Sequence, residues 1–195
     1  LSAFRLDQAG WCAGCEHERS PNFAAREEGV EPVLVVIHAI SLPPREFGGR
    51  AVAQLFTNTL PTHAHPYYAG ISHLRVSSHF FVRRDGTVVQ FVSCNDVAWH
   101  AGVSRWQGRA QCNGFSIGIE LEGCDELPFE VQQYTALTGL LAAIALRYPG
   151  VRSAAGHSEI APERKTDPGP CFDWSYLREP WRAWIATAQS PSGMG

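Results

Sequence analysis

Pro32-Val-Leu-Val-Val-Ile-His38 and Phe115-Ser-Ile-Gly-Ile-Glu-Leu121 are the two stretches on which the fold turns. The first is a continuous apolar run ending on a histidine, the pattern of a buried strand, and it predicts one over residues 33–38. The second alternates. Phe115, Ile117, Ile119 and Leu121 are expected on one face, and Ser116, Gly118 and Glu120 on the other. Glu120 is then a carboxylate presented from a rigid strand, beside a glycine that leaves room for something. A solvated strand glutamate gives the same pattern.

Working outward, strands and helices alternate. Ile40-Ser-Leu-Pro-Pro-Arg-Glu-Phe-Gly-Gly49 must be a loop, given its paired prolines and glycines. Val52, Leu55 and Phe56 fall at helical spacing within Ala51–Thr59. His63, His65 and His73 lie among prolines and glycines with no carboxylate or cysteine beside them, as surface loop histidines do. Ser78–Arg83 and Thr87–Val92 flank Arg84-Asp-Gly86, a hairpin turn signal, and His79 within the first strand reads as a hydrogen-bonded structural residue. Trp99-His-Ala-Gly102 follows: Trp99 and His100 could line a pocket, and Ala101 with Gly102 would let a ligand approach the backbone. A packed aromatic beside a tight turn fits equally well. Val131, Tyr134, Leu137, Leu141 and Ile144 form a helical stripe that Tyr148-Pro-Gly150 ends. A shorter helical stretch around Asp173–Leu177 is interrupted by Pro180, after which Trp181, Trp184 and Ile185 could pack a last turn.

The chain has 195 residues, 45% of them apolar, enough for one substantial core. The expected division is an extended N-terminal segment over residues 1–30, one domain over 31–187 and a flexible tail over 188–195. A net charge of -3 gives no general attraction to nucleic acid, so no such partner is expected. No apolar run approaches the ~20 residues that span a bilayer, and no signal-peptide pattern opens the chain. Six cysteines permit three disulfides, but a domain with a full core does not need them. Cys12-Ala-Gly-Cys15 lacks the second CxxC or histidine pair of a structural zinc site, so free thiols are expected.

His157 and Asp167 stand ten residues apart, with Lys165 two residues before the second. A histidine and a carboxylate are zinc ligand types, and His38 at a strand end is the best candidate for a third. Two histidines, a carboxylate and an open position describe a hydrolytic zinc site rather than a closed structural one. A loop-capping His157, a solvated Lys165 and an Asp-Pro turn at Asp167 would account for the spacing alone.

Taken together, Val36-Ile-His38 with Ile40-Ser-Leu-Pro-Pro44, Ala98-Trp-His-Ala-Gly-Val103, Phe115–Gly123 and Gly156-His157…Ala161-Pro-Glu-Arg-Lys-Thr-Asp-Pro-Gly169 closely resemble the N-acetylmuramoyl-L-alanine amidases. The likeness is strongest to the cytoplasmic branch that acts on 1,6-anhydro-muropeptides in bacterial cell-wall recycling. It runs in order from about residue 20 to residue 178. The resemblance implies an α/β fold with a central mixed β-sheet flanked by α-helices, shared with phage amidases and peptidoglycan recognition proteins. It implies zinc on His38, His157 and Asp167, catalysis by Glu120 and Lys165, and a peptidoglycan fragment as ligand. Arg75 matches an arginine taken to contact stem-peptide carboxylates; Arg109 is a second choice for that contact. Ala39 and Gly114 depart from the asparagine and aspartate of many members, which bears on fine specificity. The alternatives are a secreted or phage-type lytic amidase and a non-catalytic peptidoglycan-binding protein. The second should lack a ligand or the glutamate, and this chain has them all.

Overall fold

The computed structural model describes residues 3–177. Pro180, Trp181, Trp184, Ile185 and the tail from residue 188 lie outside the described residues. The elements, in chain order, begin with four short strands: β1 (Arg5–Leu6), β2 (Cys12–Ala13), β3 (Glu16–His17) and β4 (Phe23–Ala25). Next come β5 (Leu34–Ile40), α1 (Ala51–Phe56), α2 (Pro66–Ile71), β6 (Phe80–Val82), β7 (Val88–Gln90), β8 (Asp96–Ala98), β9 (Arg105–Trp106) and β10 (Arg109–Ala110). A 3-10 turn at Cys112–Phe115 leads into β11 (Ser116–Glu122), followed by α3 (Val131–Arg147), β12 (Ser153–Gly156) and α4 (His157–Ile160).

The main sheet has six strands in the order β12-β5-β11-β6-β7-β3. β5 lies between β12 and β11 and runs parallel to both; β11 is also parallel to β6, while β6 and β7 form an antiparallel hairpin. The sheet is therefore mixed. The hairpin turns at Asp85-Gly86, where Gly86 takes a φ of +87°, open to glycine at little cost. The N-terminal segment, expected as extended chain, also contributes to the sheet: β3 adds a parallel edge strand through Glu16 opposite Val89.

Register decides what each face carries. Ile117 is paired with Val35 and Ile119 with Ile37, so these four side chains share one face. That face packs on α3 through Leu137, Leu140, Leu141 and Ile144, all fully buried. Each such side chain contributes about 1.5–3 kcal/mol of burial. Gln133 ties the helix to the sheet by donating from Nε2 to the carbonyls of Val82 and Glu122. Val131, placed in the apolar stripe by its spacing, is 60% exposed; it opens the helix on the solvent side. Phe115 also departs from expectation. It closes the 3-10 turn before β11 and packs with Leu34 and Val36 on the face opposite Ile117, because the alternation starts only at Ser116.

α2 was not visible as a helix among prolines and histidines. Pro66 occupies its first turn, and His65 caps it by accepting from the Tyr67 N–H at 3.1 Å. That gives His65 a structural role in place of a plain loop position.

Candidate active site

The three parallel strands β5, β11 and β12 deliver their carboxyl ends to one edge of the sheet. His38 near the end of β5 is the register partner of Glu120 on β11. Gly156, the last residue of β12, is opposite Ile37, so His157 arrives at the level of His38. Sheet geometry thus brings together residues that are distant in sequence. Asp167 is held by a different device. The Ser158 N–H at the start of α4 donates to the Asp167 carbonyl at 2.9 Å, and the Lys165 N–H donates to the Ala161 carbonyl at 3.0 Å. The loop is folded back over the short helix.

The result is a tight triangle. His38 Nδ1 lies 2.9 Å from His157 Nδ1 and 3.3 Å from Asp167 Oδ2; His157 Nδ1 lies 3.1 Å from the same oxygen. Ligands at about 2.0–2.1 Å around a tetrahedral zinc would be about 3.3–3.4 Å apart, so the three atoms fit such an ion with little adjustment. Chemistry agrees with distance. His157 Nε2 faces the Ala101 carbonyl at 3.1 Å, which can only accept, so His157 carries its proton there and presents a bare Nδ1 inward. This is the group of histidine, cysteine and acidic residues that, among the described residues, could hold a metal.

The electrostatics are those of a site built for charge. Burial lowers the His38 pKa to about 4, against the opposing pull of Asp167. For Asp167, burial pushes upward, but its contacts with His157 and His38 outweigh it and hold the carboxyl well below the ordinary range. Glu120 goes the other way: burial first, then the charge of Asp167, raise its pKa well above normal, while Lys165 counteracts in part. Glu120 Oε1 is 4.0 Å from His38 Nδ1, and its buried Oε2 has no hydrogen-bond partner among the described residues. A buried carboxylate with an unused oxygen and a raised pKa is placed for proton transfer.

Glu120, Lys165, His157 and Asp167 line one cleft of about 580 Å³, together with Trp99 and Ala39. The remaining sequence candidates are placed less directly. Leu74 and Val76 line the cleft, and between them the exposed Arg75 guanidinium donates to the carbonyls of Ser72, His73 and Leu74. Arg109 stands over the Phe115 ring at 4.1 Å and lines a separate cavity with Gly114, which Trp99 shares. His100 is largely buried, with Nδ1 2.9 Å from His38 Nε2. Ala101 is fully buried, and its carbonyl accepts from His157 and from Arg164 Nη2 at 2.8 Å.

Some supporting residues gave no sequence signal. Asn113 Oδ1 accepts from the backbone N–H groups of His100 and Ala101, at 3.1 and 2.7 Å, and so fixes the Trp99–Gly102 turn. Arg26, from the N-terminal segment, donates to the carbonyls of Gly114 and Asp96 at 2.9 and 2.6 Å, bracing the approach to β11. Only the asparagine's place just before the strand could have suggested a turn role.

A His/His/Asp triangle that could hold a metal, with a buried carboxylate beside it at the edge of a mixed sheet, has the donor set of a hydrolytic site. Residues 28–170 match the family model described as N-acetylmuramoyl-L-alanine amidase, and this chain belongs to that family. It is similar to the 1,6-anhydro-N-acetylmuramyl-L-alanine amidase AmpD of Citrobacter freundii, 53% identical over 174 residues covering 89% of this chain and 92% of that protein. A crystal structure of a selenomethionine derivative of AmpD aligns with a TM-score of 0.86 and 51% identity, covering 92% of this chain and 98% of that one. The Escherichia coli amidase AmiD, solved with the substrate anhydro-N-acetylmuramic acid-L-Ala-D-gamma-Glu-L-Lys, aligns with a TM-score of 0.56 and 26% identity, over 92% of this chain and 66% of that one. The expected mixed-sheet α/β fold is the one found, and the chain is an amidase.

Proposed function

We propose that this chain hydrolyses the amide between the lactyl group of 1,6-anhydro-N-acetylmuramic acid and the L-alanine of the stem peptide, in peptidoglycan recycling. The observation that carries the reading is Glu120, buried beside the His38/His157/Asp167 triangle with one carboxylate oxygen unused. The three triangle residues would hold zinc, which supplies Lewis-acid charge and makes water a competent nucleophile near neutral pH.

The chain's own groups do the rest. Glu120 accepts the proton of the attacking water and returns it to the departing amine of L-alanine, so that amide and water become a carboxylic acid and a free amino terminus. Its raised pKa suits both halves of that exchange. Lys165 presents a positive charge where the carbonyl oxygen becomes an oxyanion. Trp99 offers an apolar wall to the sugar or peptide. Arg75 is the first choice for the stem peptide's carboxylates, because a guanidinium fork matches a carboxylate bidentately. Arg109 is the second, reached across Trp99.

A reducing, cytoplasmic setting is supported by six cysteines that are all free thiols. No helix among the described residues is long and apolar enough to cross a membrane. Incubation with anhydro-muramyl tripeptide and, separately, with intact sacculi tests the proposal by product mass. The expected products of the first are the anhydro-muramic acid and the free tripeptide, formed faster than any release from sacculi. Faster turnover of sacculi would replace recycling with wall lysis. A tripeptide substrate left intact would remove the activity altogether.

A further inference from the structure

We infer that His100 is a positioning residue: through a hydrogen-bond relay anchored at Ser116, it fixes the tautomer of His38 so that Nδ1 is bare toward Asp167 and His157. The inference rests on the metal reading above and deepens it by naming what orients the strand-borne ligand.

The relay can be followed proton by proton. Ser116 Oγ lies 2.6 Å from the Cys112 carbonyl, which has no proton to give, so the single hydroxyl proton is committed there. Toward His100 the hydroxyl therefore offers only a lone pair. His100 Nε2, 3.2 Å away, must carry a proton to use it. A neutral imidazole protonated at Nε2 is bare at Nδ1. His100 Nδ1 is 2.9 Å from His38 Nε2, so His38 donates from Nε2 and its Nδ1 is left with a lone pair facing the triangle. A charged His100 would break this sequence. Buried among His38, His79, Gly118 and Ser116, however, a positive ring would have little solvent to stabilise it.

The surroundings are shaped around this ring. A Cβ at Gly118 would fall 2.4 Å from His100 Cγ, so β11 needs glycine there for the imidazole to lie against the strand. Gly118 N–H, in turn, donates to His79 Nδ1 at 3.0 Å, and His79 Nε2 faces the Asp96 carbonyl at 3.2 Å, which fixes that neighbouring ring in one tautomer as well. Asn113 pins the backbone N–H of His100 itself. The room that the glycine of β11 leaves is filled by a histidine of the protein.

The test uses the full chain, with zinc affinity measured by chelator competition and ring tautomers read from 15N chemical shifts of the metal-free protein. In the wild type, His38 and His100 should both be Nε2–H tautomers. His100→Leu, which removes the acceptor, should weaken zinc binding about 10- to 100-fold. His100→Asn places Oδ1 near the position of Nδ1, restores an acceptor for His38, and should recover most of that loss, which a space-filling role would not predict. Unchanged zinc affinity in a folded His100→Leu, or an Nδ1–H tautomer of His38 in the wild type, would overturn the inference and leave the metal site standing. A wild-type chain that takes up no zinc would overturn the metal reading and the relay together.

Discussion

The two faces of β5 and β11 are both buried, but only one of them is apolar throughout. One carries Val35, Ile37, Ile117, Ile119 and Leu121 into the apolar packing beneath α3. The other carries His38, Ser116, Gly118 and Glu120, and meets imidazoles, a hydroxyl and a carboxylate. An alternating strand ordinarily means one dry face and one wet one. Here the polar face is covered too, so each polar group must find a partner inside the protein or be left without one at a cost. The histidines and Ser116 find partners; the Oε2 of Glu120 does not, among the described residues. One face holds packing alone; the other combines packing, through Leu34 and Val36 against Phe115, with the groups of the candidate site.

That division can be broken from either side. The largest effect should come from Glu120→Ala, which removes the acid–base group: kcat should fall on the order of 10²–10⁴-fold with zinc retained and KM little changed. Its Tm should not drop, since a buried carboxylate with a raised pKa disfavours the folded state at neutral pH. Parallel kinetics, metal analysis and thermal melts would check this, and a KM effect alone would make Glu120 a binding contact instead. Leu137→Ala on the dry face should do the reverse. It should cost about 2–5 kcal/mol of stability through cavity formation, with kcat per folded molecule unchanged. Urea unfolding with active-site titration separates the two.

A smaller effect should appear with pH. Burial, with help from Arg26, lowers His79 to about 3, whereas in the unfolded chain it titrates near 6.5. Between those values the unfolded chain binds the extra proton. The stability His79 allows is therefore complete above 6.5 and is lost as pH falls, by about 2 kcal/mol between pH 7 and pH 5. His79→Gln should flatten the fall in urea midpoint over that interval by a comparable amount. An unchanged slope would mean that the ring is not held neutral.

Much of this was legible in sequence, for local reasons. β5 announced itself as an apolar run, α3 by its period and the β6–β7 turn by Asp-Gly; each signal lies within the element it describes. The candidate ligands could be named because a strand-end histidine and a His/Asp pair are chemically specific. Non-local arrangement was hidden. β3 joins the sheet through a pairing with β7 more than seventy residues away, and nothing in Glu16-His17 specifies it. His100 lines the cleft as expected, but its contact with His38, 62 positions distant, was hidden. Phe115 was assigned to the wrong face because a 3-10 turn and a strand look alike when apolar residues happen to alternate across their junction.

The His38–His157 contact joins residues 119 positions apart, and the third corner of the triangle lies ten residues further along. Parallel pairings of such long range are slow to form. During synthesis, moreover, no three-ligand site can exist until residue 167 has left the ribosome and β12 has docked on β5. A metal held by all three corners, as proposed above, would therefore be bound only once the sheet is assembled. Uptake of such a metal would report that the central strands have found their register.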